Sequence, residues 1–175
     1  MMGRVFIGIL LMGILSACSP MRVTDFSGRG ETFDLFGYFS GTTHGYGLFE
    51  DRFGTIKRQF KVVIEGSIDG DKITLDEDFL YDDGETQKRV WTITRRADGS
   101  YEGRADDVIG VARGKEAGNA LNWAYTLALP VGGRVFEVQF DDWMLRQQDG
   151  VVINRAKVRK FGFDVGSVTL AFTKP

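Results

Sequence analysis

The sequence predicts an all-β domain folded as an antiparallel up-and-down barrel. Glycine and phenylalanine are abundant, with 23 and 14 residues, whereas only three prolines occur, and no stretch shows sustained helical periodicity. Short alternating runs follow one another between turn signals, several of them Asp-Gly dipeptides suited to tight hairpins. A meander of eight or more strands normally closes on itself, because an open sheet leaves its edge groups unpaired. A two-sheet sandwich is the alternative that these turn spacings leave open.

The strands are predicted from alternating runs in chain order, beginning with a glycine-rich first strand at residues 41–47. The further runs occupy residues 61–65, 72–81, 89–94, 101–109, 122–129, 135–145, 151–158 and 167–172. Turn signals separate them at residues 69–71, 82–84, 97–99, 130–133 and 148–150. Such consecutive hairpins generate a meander in which each strand lies beside its sequence neighbours.

The N-terminus has the pattern of an export signal. Arg4 precedes an unbroken apolar run over residues 5–15, which is shorter than the about 20 residues that cross a bilayer. The run ends in Leu-Ser-Ala-Cys at residues 15–18, which resembles the bacterial lipobox, and the thiol of Cys18 is the only group there that can take a thioether lipid. We expect residues 1–17 to be a lipoprotein signal peptide. The alternatives are a secreted protein with an incidental cysteine and an inner-membrane anchor helix.

Cys18 also indicates where the protein is located. It is the only cysteine, so no intramolecular disulfide can form. Similar bacterial lipoproteins carry three acyl chains, palmitate among them, which makes attachment effectively permanent. Ser19 stands where an aspartate commonly retains such proteins at the inner membrane, so we expect the periplasmic face of the outer membrane. Residues 18–32 are predicted to be the lipidated cysteine and a tether, and residues 33–175 a single barrel domain.

The charge balance excludes one class of partner. The formal net charge is −2, and removal of residues 1–17 takes away Arg4 alone. Near-neutral charge of mixed sign argues against a nucleic-acid partner, which needs a basic face. Because of the predicted lipid anchor on Cys18, the expected partner is a membrane, with a possible lipid-like ligand in addition; the sequence identifies no protein partner.

Alternation assigns an interior face that is apolar but carries single polar residues. Glu77 shares the face of Leu75 and Phe79, and Arg89 shares that of Trp91. Because a buried charge is costly unless paired, such residues form an internal ion-pair cluster, line a wet cavity mouth, or sit at strand ends. An apolar cup with a few polar groups is typical of small-molecule sites. The candidate ligand-binding residues are Glu77, Arg89, Trp91, Asp107, Trp123, Tyr125, Phe136, Phe140, Asp142 and Asn154.

Catalytic and metal-binding signatures are not found in the sequence. His44 is the only histidine, and one histidine without a cysteine does not make a typical zinc site. The carboxylate pairs 106–107 and 141–142 are neighbours in strands, so the two members of each pair point to opposite faces. We therefore expect no metal, no cofactor and no catalytic residue, and we expect binding rather than catalysis.

Several stretches resemble a family of uncharacterised bacterial proteins, the domain of unknown function 3833. They lie at residues 51–54, 75–79, 81–84, 118–123, 140–144, 154–156 and 160–162, where Asp-Asp-Trp-Met at 141–144 is the most specific. The layout of residues 41–54 also looks like the opening of lipocalin-related barrels. The family resemblance implies no activity and supplies no catalytic residues.

Three functions are compatible with these observations. The leading one is a membrane-anchored periplasmic lipoprotein that binds a hydrophobic or amphipathic small molecule, a lipid or fatty-acid derivative, in its barrel. The second is a non-enzymatic envelope scaffold with a solid barrel, whose contact surface would include an exposed Trp143 and the basic run 155–160. The third is an enzyme that acts on a lipid in the cup through a carboxylate such as Asp107.

Overall fold

Backbone hydrogen bonds join ten antiparallel strands into a closed ring in the computed structural model, which describes residues 20–175. Every strand pairs with its sequence neighbours, and the last strand returns to the first. The strands are β1 (Gly41–Asp51), β2 (Ile56–Asp69), β3 (Lys72–Tyr81), β4 (Thr86–Arg95), β5 (Tyr101–Arg104), β6 (Ala112–Ala117), β7 (Ala120–Val131), β8 (Arg134–Arg146), β9 (Val152–Lys160) and β10 (Phe163–Thr173). The predicted up-and-down barrel is confirmed. The predicted signal peptide and Cys18 lie outside the described residues.

One predicted strand is wrong in its second half. Residues 101–109 alternate as a single strand would, but β5 ends at Arg104. The chain turns there, with the amide of Val108 donating to the carbonyl of Ala105 at 3.0 Å. Val108 then forms an isolated bridge with Leu127, so the loop 105–111 fills the barrel wall where β5 and β6 are short. The alternating pattern of residues 101–109 indicated which side chains face inward, but not that the strand ends at Arg104.

A short helix, α1 (Leu35–Phe39), closes one end of the barrel, and the sequence did not predict it. Five residues are too few to show helical periodicity. The carboxylate of Asp34 caps the helix by accepting from the amide of Phe36 at 3.2 Å. The Tyr38 hydroxyl donates to the carbonyl of Phe172 at 3.0 Å. We refer to this end as the closed end, and to the end with turns 52–55, 82–85, 132–133 and 161–162 as the open end.

The segment predicted as a tether lies partly against the barrel. The ring of Phe26 packs on Trp143 with centroids 5.7 Å apart, and Arg146 pairs with Glu31 at 2.6 Å. The amide of Phe33 donates to the carbonyl of Gly118 at 2.8 Å. The expectation of an exposed Trp143 is therefore wrong, because this side chain is half-buried beneath the N-terminal segment.

The described residues contain a complete folding unit. The hydrogen-bonded ring runs from Gly41 to Thr173, and its main apolar core extends from Phe33 to Phe172. The strand pairing and the main core therefore lie within residues 20–175. Within this part of the chain, the helices are too short to cross a bilayer.

Candidate functional site

The barrel is hollow. A cavity of about 690 Å³ extends from the floor formed by Leu35 and Phe39 of α1 to residues beside the turns of the open end, Glu85 and Pro130 among them. This volume lies within the range of about 300–1,000 Å³ that small-molecule sites occupy. Interior residues of a small barrel can equally fill it with side chains, so only the folded structure could distinguish a cup from a solid core.

Eight of the ten candidate residues line this cavity. They are Glu77, Arg89, Trp91, Trp123, Tyr125, Phe140, Asp142 and Asn154. Asp107 does not line it but lies behind Arg89, to which it is hydrogen-bonded. Phe136 is also outside the lining, and the Nζ atom of Lys160 lies 3.5 Å from the centre of its ring. Alternation shows on which face of a strand a residue lies, but not how far along the barrel it lies. Phe136 therefore has the alternation of an interior residue although it lies beyond the cavity lining.

Arg89 is the centre of an ion-pair cluster on the cavity wall. Glu77 and Arg89 are directly opposite each other on β3 and β4, and the Arg89 Nη1 atom lies 3.8 Å from Oε2 of Glu77. Arg89 also donates from Nε and Nη2 to the carboxylate of Asp107, at 3.0 to 3.1 Å and 2.8 Å. Asp107 reaches this position from the loop 105–111 rather than from a strand. The guanidinium is therefore held by two carboxylates.

Burial perturbs the titration of this cluster. Burial raises the pKa of Glu77 to about 7, while the charge of Arg89 lowers it and those of Asp107 and Asp142 raise it further. For Arg89, burial alone would lower the pKa, but Glu77 and Asp107 outweigh it and raise the pKa above its ordinary value. Arg89 thus stays charged, whereas Glu77 changes protonation near neutral pH.

Asp142 is a second buried carboxyl group in the cavity. It lies on β8 between Trp123 and Ala156 of the adjacent strands and is 5% exposed. Burial raises its pKa to about 7, although the side chains of Tyr125 and Asn154 lower it by hydrogen bonding to the charged form. Its Oδ1 atom has no hydrogen-bond partner among the described residues. A buried acceptor without a partner is costly, so a ligand that donates a hydrogen bond there would recover free energy.

The remaining wall is formed mostly by aliphatic and aromatic side chains. Trp91 contacts Trp123 edge-on at 5.7 Å between ring centroids, and Tyr125 stacks on Phe140 at 5.1 Å. Trp123 fits only because two facing residues are glycines. A Cβ atom on Gly103 or Gly114 would come within 2.5 or 2.3 Å of the indole. The alternating pattern of the sequence does not indicate this role of the two glycines.

Sequence reasoning also missed part of the site near the open end. Arg58 lines the cavity, pairs with Asp83 at 2.9 Å and with Glu85, and stacks its guanidinium on Tyr81 at 3.5 Å. Arg58 lies near the start of β2, three residues before the predicted beginning of that strand. Val62 and Ile64 face inward, and alternation continued backwards along the strand places residues 60 and 58 on the same face. This pattern could have identified Arg58 as an interior residue.

The described residues do not bring together three side chains able to hold a metal ion. His44 is half-buried on β1 between the buried Thr43 and Gly45, so alternation directs it to the outer face. Glu77 and Asp142 have pKa values that suit proton transfer near neutral pH. The geometry is that of a largely apolar cavity with a cluster of polar side chains on its wall.

The two raised pKa values predict a folded state that is more stable in mild acid. Between about pH 4.5 and 7 the folded protein holds protons on Glu77 and Asp142 that the unfolded chain lacks, so the free energy of unfolding falls as pH rises. We expect it to be lower by about 2–4 kcal/mol at pH 8 than at pH 5, measured by urea unfolding. Asp142→Asn should flatten this dependence, and Asp78→Asn on the exposed face of β3 should not. Stability that rises from pH 5 to pH 8 would contradict the prediction.

Comparison with known proteins gives a family but no activity. The family model described as protein of unknown function DUF3833 matches residues 12–174. No curated protein matches the chain.

Proposed function

The chain belongs to the DUF3833 family, and we propose that this member is a lipid-anchored envelope protein that holds a hydrophobic or amphipathic small molecule in its barrel. The observation that carries the proposal is the cavity of about 690 Å³ with a largely apolar wall and a few buried polar groups. Sites for small molecules combine a largely apolar, preformed cavity with few polar groups that orient the ligand. A lipid or fatty-acid derivative has the matching chemistry.

The charges of the cavity restrict the polar part of this ligand. Both arginines in the lining are already engaged by two carboxylates, Arg89 by Glu77 and Asp107, and Arg58 by Asp83 and Glu85. Two buried polar atoms of the lining have no hydrogen-bond partner among the described residues, the acceptor Oδ1 of Asp142 and the donor Nε of Arg58. Because the carboxylates of the cavity already neutralise both arginines, a free carboxylate would gain little there. We expect a ligand whose polar group both donates and accepts hydrogen bonds, such as a hydroxyl or an amide.

The proposed location rests on residues that precede the described part of the chain. The apolar run 5–15, the lipobox-like tetrad and Ser19 support lipidation of Cys18 and the periplasmic face of the outer membrane. Such a position places the cavity beside a source of lipids. Mass spectrometry of the protein extracted with detergent from bacterial membranes tests the lipidation. If the proposal is correct, the mature chain should begin at a triacylated Cys18.

The alternative functions receive less support from the geometry. A solid-barrel scaffold does not agree with the hollow interior, and its suggested contact residue Trp143 is covered by Phe26. For a lipid-acting enzyme, Asp107 was the suggested acid or base. Asp107 lies outside the cavity lining and is held by Arg89, so it does not face a bound substrate.

Native mass spectrometry tests ligand binding. Residues 20–175, purified from a bacterial periplasm, should carry a defined adduct that extracts as a lipid. Ala156→Trp is expected to abolish this adduct, because Ala156 lines the cavity and an indole would fill the space. Ala124→Trp places the same indole on the exposed face of β7 and should retain the adduct.

Folding of both variants is checked by circular dichroism and thermal unfolding. If Ala156→Trp does not fold, Asp142→Leu provides a second test, because it removes the acceptor and should lower the yield of adduct. A parent protein with a clean mass and no uptake from a total lipid extract would refute ligand binding.

A further inference from the structure

The open end of the barrel carries the most exposed large apolar side chains in the described part of the chain. These are Phe161, Phe53, Phe163 and Val135, with 87, 76, 73 and 67% of their surface exposed. They occupy three separate connections, β1–β2, β7–β8 and β9–β10, at or beside the turns. At the closed end, by comparison, Ile68 is 48% exposed. Apolar exposure is thus concentrated around the mouth of the cavity.

These side chains form one continuous half of the rim. The strands β8, β9, β10, β1 and β2 are consecutive in the ring. The amide of Arg52 donates to the carbonyl of Val165 at 3.1 Å, which joins the β1–β2 turn to β10. Lys160 contacts the ring of Phe136 at 3.5 Å, which joins β9 to β8. We call the exposed residues 52–53, 134–135 and 161–163, together with the half-buried Lys160, the apolar rim.

Phe161 has a backbone conformation that folding does not favour. Its φ is 51° and that of Gly162 is 80°, so both central residues of the hairpin turn have positive φ. Asn-Gly is the preferred pair in such a turn, and a bulky side chain at positive φ is uncommon and strained. The ring is also almost fully exposed and contributes little to the core. The conformation and exposure of Phe161 thus point to a role outside the folded monomer.

Cations accompany the apolar tips. Arg52, Arg134 and Lys160 form no ion pair with any of residues 20–175. The guanidinium of Arg52 lies 4.6 Å from the ring centre of Phe53, and Nζ of Lys160 lies 5.3 Å from that of Phe161. The opposite side of the rim is different, since Asp83 and Glu85 lie there with Arg58.

We propose that the apolar rim docks on the surface of a phospholipid bilayer that contains anionic lipid, so that the cavity opens at the membrane. Aromatic side chains insert at the headgroup boundary, while neighbouring lysine and arginine side chains keep their charges at the level of anionic headgroups. A second copy fits less well, because a symmetric rim-to-rim contact would bring the same cations together. The proposal adds a membrane contact to the proposed function. This contact is separate from the lipid anchor, because the N-terminal segment packs on the barrel through Phe26 and Trp143, away from the rim.

Co-sedimentation of residues 20–175 with vesicles tests the docking. Vesicles of equal parts phosphatidylcholine and phosphatidylglycerol should bind the domain, and vesicles of phosphatidylcholine alone should bind it several-fold less. Phe53→Ser combined with Phe161→Asn is expected to lower partitioning by at least about tenfold. Removing a single rim cation, as in Arg134→Gln, should lower it by about fivefold. Ile68→Ser at the closed end removes a comparable exposed apolar side chain and should leave partitioning unchanged.

Phe161→Asn on its own separates docking from a structural role. Asparagine suits the turn better, so the thermal midpoint should rise while vesicle binding falls. If both quantities fall, or if the double variant binds as well as the parent, the proposal is overturned. It is also overturned if the parent self-associates or captures a protein through this rim and ignores vesicles. Ala156→Trp should lose the ligand adduct and still bind vesicles, so failure of docking and failure of ligand binding are distinguishable.

Discussion

Gly66→Ala is expected to lower the free energy of unfolding by about 3 kcal/mol or more. Gly66 lies on β2 where α1 crosses the barrel end, and a Cβ atom there would lie 1.7 Å from the carbonyl oxygen of Phe39. The clashing atom is backbone, so no side-chain rotation can relieve it. Either α1 lifts away from the closed end or β2 shifts, and both outcomes disturb the packing of Phe39 on Phe172.

Urea unfolding of residues 20–175 measures this effect. Ser67→Ala, at the next and exposed position of β2, serves as the control and should change stability by less than about 0.5 kcal/mol. Equal stability of Gly66→Ala and the parent would mean that α1 does not rest against β2. The cavity floor described above would then be wrong.

Arg89→Met is expected to destabilise the barrel by about 3 kcal/mol at neutral or higher pH. The side chains of Arg89 and Glu77 are only 14 and 12% exposed, and that of Asp107 is 26% exposed. Removal of the cation leaves two carboxylates in a poorly solvated position without a partner. The loss should shrink as pH falls towards 7 and below, because Glu77 becomes protonated in the folded variant once Arg89 no longer lowers its pKa.

The control for Arg89 is an ion pair of the same type on the surface. Arg113 pairs with Glu102 at 2.8 Å but is 73% exposed, so Arg113→Met should cost less than about 1 kcal/mol. Adding Glu77→Gln to Arg89→Met should restore part of the stability. An Arg89→Met loss that is the same at every pH would show that the Glu77 carboxyl is not part of the cluster.

The alternation of side chains between the two faces of each strand predicted much of the candidate site. Glu77 and Arg89 were assigned to one interior face, and they are direct cross-strand partners. Asp142 and Asn154 were placed inside by the same reasoning, and both are buried. Such predictions succeed because side chains alternate between faces every two residues, a local rule that the neighbouring apolar residues make visible.

Alternation could not predict how far along the barrel a residue lies or which loop residues contribute to the site. Phe136 has the parity of Phe140 but lies beyond the cavity lining. Asp107 does reach Arg89, but from a loop that the sequence presented as strand. The short helix α1 and the seating of Phe26 on Trp143 depend on contacts between residues distant in sequence.

The sequence by itself determined that the chain forms a meander of antiparallel strands and which side chains face inward. Alternation and tight turns act over a few residues, so they can be read without knowing the rest of the fold. Only the tertiary structure decided that the interior is hollow, that α1 closes one end and that exposed phenylalanines lie along half of the rim at the other. These properties depend on how all ten strands close and on the depth at which each side chain then lies.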